Sequence, residues 1–277
     1  MATPGPRTKA TPGGTTVTPA PAAAKTSATF VLELRRRRLV TNEHGMRTWV
    51  DEAPMERVPA LHTAVLVCDM WDRHWSSGAS YRVEKLAPRI DAFCQRMRGA
   101  GALIVHAPSG TMAAYGGSAA RTRIAGCGPF PAAPEIELPP LPVACNDGGS
   151  DTVDHFASNT PVWQRQHPAI HIDEERDVIT DNGSELAAYL TEQKRSVVLM
   201  TGVHTNLCVL RRSFGLVALV GHGFSPVLVA DLTDAMYDPA DPPYVEHDAG
   251  TDLIVRYIEA FVAPSTRSDR IVVLGGR

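Results

Sequence analysis

Residues 196–210, SVVLMTGVHTNLCVL, decide how this chain is read. Val197 to Met200 is continuously β-branched and aliphatic, the pattern of a strand buried on both faces in a parallel sheet, and Gly202 ends it. Thr205 and Asn206 are good helix-initiating types, and the apolar-rich run after them predicts a helix from Cys208 to Val220. A thiol in the first turn of such a helix lies beside unpaired backbone N–H groups at the positive end of the helix dipole, which favours thiolate over thiol. The same N–H groups can hold an oxyanion when the sulfur attacks a carbonyl. An isolated cysteine is ordinarily a small packing residue. Strand, glycine turn, polar cap and cysteine in succession outweigh that reading.

A second stretch, Thr63 to Trp75 (TAVLVCDMWDRHW), supplies the partner. Ala64 to Cys68 is again a buried parallel-type strand, and Asp69 follows it directly. In open α/β sheets ligands bind beyond the carboxyl ends of the strands, so Asp69 and Cys208 are expected to converge there. A carboxylate beside a thiol can accept its proton and later return it to a leaving amine. Trp71, Trp75 and Phe214 flank the two groups and can wall an apolar pocket, while Asp234 is expected to brace the site and His204 and His247 are lesser candidates.

The rest of the chain alternates in the same way. Leu86, Ile90, Phe93 and Met97 share one face of a helix over 82–99, with Pro88 fitting only near its start. Strands are expected at 102–107, 226–231 and 271–274, helices at 183–192 and 251–261, and one strand plus a loop in 30–59. A Pro- and Gly-rich excursion at 126–168 reads as a lid or dimer contact. This alternation implies a three-layer α/β/α sandwich with a mainly parallel central sheet.

Three segments, LVCDMW, TGVHTNLCV and VLVADLTDAM, resemble the isochorismatase-like cysteine hydrolase superfamily, which includes nicotinamidases and N-carbamoylsarcosine amidases. The resemblance runs from Thr63 to Val262 and implies a Rossmann-like topology, with Asp69 as proton acceptor and Cys208 as nucleophile. It also implies a cis peptide between Val203 and His204, with the N–H groups of His204 and Cys208 forming the oxyanion hole. The superfamily's lysine is expected within Asp177 to Leu186, but that segment contains none; only Lys9, Lys25, Lys85 and Lys194 exist. Arg165 is the candidate replacement, with His167 another. Arginine stays charged at any working pH, so it can orient Asp69 but cannot shuttle a proton.

Trp71, His74, Trp75, His106 and His167 are the expected substrate-binding residues. Nicotinamidases carry a His/Asp metal site, and Asp72, His74 and His106 are the only comparable donors here; DxH alone is a sparse signal, so no metal or other cofactor is expected. The acidic run NDGGSDTVD at 146–154 lacks EF-hand spacing and reads as a solvated turn.

With 277 residues and a net charge of −3, the chain shows no electrostatic footprint of a nucleic-acid partner, and Arg35 to Arg38 is too short a run to make one. Five cysteines without CxxC spacing indicate a reducing compartment, so a cytoplasmic location is expected. Residues 1–29, rich in Ala, Pro, Thr and Gly, read as a disordered tail ahead of one hydrolase domain at 30–277. No apolar h-region or membrane-length run is present, so no membrane partner is expected. The resemblance implies a homo-oligomer, dimer or tetramer. The expected activity is hydrolysis of a small amide, imide or carbamoyl compound through a thioester. The alternatives are a catalytically silent ligand-binding or assembly protein, suggested by the missing lysine, and vinyl-ether hydrolysis, which leaves Cys208 without a role.

Overall fold

The computed structural model describes residues 1–2 and 28–275, so residues 3–27 of the expected tail lie outside the described residues. Residues 30–59 hold more than one strand: β1 (Thr29–Glu33), β2 (Arg36–Thr41), β3 (Arg47–Glu52) and β4 (Met55–Pro59). There follow β5 (Thr63–Cys68), α1 (Ser77–Gly99), β6 (Leu103–Ala107), α2 (Ala119–Ile124), β7 (Val178–Ile179), α3 (Gly183–Glu192) and β8 (Val197–Val203). The chain closes with α4 (Cys208–Arg211), α5 (Leu216–Gly221), β9 (Ser225–Asp234), α6 (His247–Phe261), β10 (Ser265–Thr266) and β11 (Val272–Leu274).

Six strands form one parallel sheet in the order β10-β9-β8-β5-β6-β7. Its central strands β5 and β6 are buried at every residue because both faces are covered. Ala64, Leu66 and Cys68 point into a core shared with α3, α4, α5 and α6, whereas Val65 and Val67 point into a core shared with α1 and β1. This is the α/β/α sandwich, with one addition: β11, β1 and β4 make a small antiparallel sheet in the α1 layer. The strand expected at 271–274 therefore joins β1 and not the parallel sheet, because the parallel edge beside β9 is taken by β10. β2 and β3 form a separate hairpin, in which Arg37 and Arg38 pair with Asp51 and Glu52 across the strands.

Helix α1 begins five residues earlier than expected because Ser76 caps it, its hydroxyl accepting from the Ala79 N–H, so Pro88 sits in the helix interior. The helix expected at 208–220 is broken. The chain leaves helical geometry at Arg212 (ψ 160°) and re-enters only after Gly215, where a Cβ would meet the Val209 carbonyl at 2.9 Å. No helix among the described residues is long and apolar enough to cross a membrane.

Candidate active site

The reactive corner is made where β5 and β8 end side by side. Cys68 pairs with Gly202, and the approach is so close that a Cβ on Gly202 would lie 2.0 Å from the Cys68 carbonyl oxygen; its φ of +102° also suits only glycine. Beyond that point the β8–β9 register shifts, Thr233 Oγ1 donates to the Gly202 carbonyl at 2.7 Å, and Thr205 Oγ1 meets Thr233 Oγ1 at 2.7 Å. Asn206 clamps Met236 in both directions, at 2.8 and 2.9 Å. Thr205 and Asn206 are thus spent on tying the turn to β9 and do not cap a helix; α4 is one turn without a side-chain cap. The Val203–His204 peptide is cis.

Asp69 is fully buried at the end of β5, with φ at +45°, a left-handed conformation that non-glycine residues adopt mainly where the surroundings enforce it. Its Oδ1 accepts from the Ser109 backbone N–H at 2.7 Å and its Oδ2 from Arg212 Nε at 3.0 Å. The Cys208 thiol lies beside the same carboxylate, near enough for each group to shift the titration of the other. Burial raises the Asp69 pKa, opposed by the Arg212 charge and the Ser109 hydrogen bonds. Burial and then the Asp69 charge push the Cys208 thiol up to about 12, against weaker help from Arg212 and the His204 backbone N–H. The thiolate expected from the helix dipole is therefore not the resting state: one short turn supplies too little field to offset desolvation beside a carboxylate.

The cation at the site is Arg212 and not Arg165. Arg165 is exposed, its backbone is bonded to Asp72, and its charge acts on Tyr115. The segment that carries it bridges to Trp71 through Gln166, which turns Arg165 outward. Arg212 follows Cys208 by four residues, and the helix break lets its side chain fold back to Asp69. The spacing of four from the cysteine was the available signal.

Beside Cys208 lies a cavity of about 110 Å³ walled by Trp71, His74, Trp75, Trp163, His204 and Met236, with Arg212 at its edge. Trp163, from the long excursion, stacks on Trp71 at 4.3 Å; the sequence reading missed it, since nothing local ties it to the strand ends. His74 Nδ1 accepts from the Ser76 N–H at 3.1 Å, and burial lowers its pKa to about 4. Phe214 is buried in the core beneath and does not line the cavity. Asp234 accepts from Arg82 and pairs with His247.

His106 and His167 are not in this cavity. His106 is buried between Gln166 and Asp177 (3.0 and 3.1 Å), because the pleat of β6 puts it on the α1 face with Ile104, where Arg98 of α1 also meets Asp177. His167 pairs with Glu84 at 2.8 Å in a separate cleft of about 100 Å³. Of the metal candidates, Asp72 and His74 both line that second cleft, where Asp72 accepts from the Gln164 and Arg165 N–H groups, while His106 lies outside it with both ring nitrogens engaged. Among the described residues no three His, Cys, Asp or Glu side chains are grouped to hold a metal ion. A cavity of about 630 Å³ lies at the opposite ends of β8 and β9, against Arg36 to Arg38 and α6.

A three-layer α/β/α scaffold with a carboxylate and a thiol meeting at the carboxyl edge of its parallel sheet gives the class of protein. Residues 63–242 match the family model described as Isochorismatase domain, and the chain belongs to this family, whose members are generally hydrolases. It is similar in structure to a cysteine hydrolase from Pseudomonas syringae pv. phaseolicola 1448A (17% identity, TM-score 0.49, 76% of this chain and 91% of that one). It is also similar to PnC1 from L. infantum in complex with nicotinate (17%, TM-score 0.40, 77% and 96%). An isochorismatase from Pseudomonas putida KT2440 shows 14% identity and a TM-score of 0.44 over 76% of this chain and 91% of that one. Among curated proteins, none matches.

Proposed function

We propose that this protein is a cysteine-dependent hydrolase of a small amide, imide or carbamoyl compound. The observation that carries the reading is the Cys208 thiol beside a buried carboxylate that is held by one arginine and one backbone N–H. The sulfur adds to the substrate carbonyl as its proton passes to Asp69, so the thiol need never be free as a thiolate. The N–H groups of His204 and Cys208 hold the oxyanion. Collapse breaks the C–N bond, Asp69 returns the proton to the departing nitrogen, and a thioester remains. Water then attacks the thioester, gives its proton to Asp69, and the C–S bond breaks; Asp69 reprotonates the sulfur. Arg212 stays charged throughout and holds Asp69 in place.

The high thiol pKa favours a second reading, a silent ligand-binding member of the family. Hydrolysis of a panel of small amides, imides and carbamoyl compounds, followed as ammonia release and, for imides, as formation of the amide-acid product, separates the two. Wild type is expected to release ammonia from some of them and Cys208→Ala from none, with a Cys208-bound acyl group seen by mass spectrometry. Release that survives Cys208→Ala overturns the hydrolase reading.

A further inference from the structure

Arg212 is the one ionised side chain among the residues that line the cavity beside Cys208. Burial lowers His74 to about 4 and His204 to about 3, and the Cys208 thiol stays protonated, so none of the three carries charge at neutral pH. No carboxylate lines the cavity, because Asp69 is fully buried. The charge a ligand meets at these walls is therefore positive.

A guanidinium has five N–H donors. Arg212 gives only Nε to Asp69, at 3.0 Å, and neither Nη group makes a hydrogen bond among the described residues. The side chain keeps 40% of its surface open. An exposed arginine ordinarily swings in water and its ion pairs contribute little. This one is anchored through Nε to a carboxylate that is itself held by the Ser109 N–H, so the remaining donors form a fork already oriented for a second anion.

The size of the cavity says where that anion sits. At about 110 Å³ it falls far below the roughly 300–1,000 Å³ that encloses a drug-sized molecule, so it takes a short substrate. Arg212 and the Cys208 thiol both lie against Asp69, so a group bound by the guanidinium is only a few bonds from a carbonyl at the sulfur.

We propose that Arg212 selects the substrate: its Nη groups pair with a carboxylate that a short substrate carries a few bonds from the reacting carbonyl. The proposal rests on the reading that Cys208 is the attacking group, and it narrows the substrate class to anionic amides, imides or carbamoyl compounds.

The test compares two alkylating probes of nearly equal size, anionic iodoacetate and neutral iodoacetamide, in 0.15 M salt, where charges beyond about 8 Å are largely screened. Cys208 modification is followed by peptide mass spectrometry, and each rate is divided by that of a free thiol. Wild type is expected to favour iodoacetate about tenfold, the worth of one charge-assisted hydrogen bond. Arg212→Met should bring the ratio within about threefold of the free thiol. Both probes are read on the same protein, so any change in thiol reactivity from the loss of Asp69's partner cancels. A wild-type ratio at or below the free-thiol value overturns the proposal, and so does an unchanged ratio in folded Arg212→Met. If that variant does not fold, Arg212→Gln, which can still donate to Asp69, takes its place with the same expectation; if neither folds, the wild-type ratio decides. Should Cys208 resist both probes, calorimetric titration of wild type with malonamate and with malonamide decides, tighter binding of the anion supporting the proposal and equal or weaker binding overturning it. If no compound of the panel, carboxylated amides included, is hydrolysed while the iodoacetate preference persists and vanishes in Arg212→Met, the hydrolase reading fails and the anion site stands. Cys208-dependent hydrolysis with no iodoacetate preference gives the reverse.

Discussion

Two buried carboxylates, Asp69 and Asp177, each face an arginine, and they behave in opposite ways. Asp177 takes two bonds from Arg98 (2.8 and 2.5 Å), one from the Asp173 N–H (2.8 Å), and a contact with His106 (3.1 Å). Burial alone would raise its pKa, but hydrogen bonds from His106 and Arg98 overcome that and hold it at about 2. Asp69 has one arginine bond and one backbone N–H, and burial wins, raising it. A fully satisfied carboxylate is a fixed anchor; one left short of donors beside a thiol can take up a proton. The number of donors separates scaffold from chemistry here.

The comparison can be broken most sharply by exchanging charge for amide at Asp69. Asp69→Asn is expected to lower ammonia release by about 10²–10⁴-fold, the worth of a positioned acid–base group, with little loss in thermal midpoint. Asp177→Ala should do the reverse. It leaves Arg98 buried and unpaired and is expected to cost about 3–5 kcal/mol in urea unfolding.

Acid titration of stability sharpens the contrast. Asp177 is depressed from 3.8 to about 2, so its contribution, about 2 kcal/mol, is present above pH 4 and lost as pH falls through 2. Asp69 is raised, so its protonated form favours the fold: that contribution is full below the unfolded carboxylate pKa and lost as pH rises through the folded value. Urea unfolding of wild type, Asp177→Asn and Asp69→Asn across pH 2–6 should show slopes of opposite sign. The smallest effect is expected from Arg212→Lys, which keeps the charge and loses the fixed guanidinium geometry: a fall in rate of roughly threefold to tenfold. Arg212→Met should further raise Asp69 and move the acid limb of the pH–rate profile upward.

The parallel strands were legible because β5 and β8 are buried on both faces and their apolar runs admit no other use. The meeting of Asp69 and Cys208 was legible for the same reason, since adjacent strands end together. The break after Arg211 was not: Phe214, Leu216 and Leu219 fit a continuous helix, and only the packing around Gly215 and Ser213 against Gly183 shows why it cannot continue. Arg212 was legible only through its spacing of four from Cys208, the same-face interval of a helix; the break that lets its side chain fold back to Asp69 was not. His106 and Asp177 stand far apart in sequence, and their pairing depends on β6 and β7 being neighbours. Two-residue β7 is too short to be seen in any periodicity.

The contact of Gly202 with Cys68 bears on how the protein can change. Main chain against main chain sets the gap between the two halves of the chemistry, and no rotamer can adjust it. The walls of the cavity come partly from elsewhere, with Trp163 on the long excursion. Those walls can be rebuilt loop by loop to admit new molecules while the reaction underneath keeps its spacing.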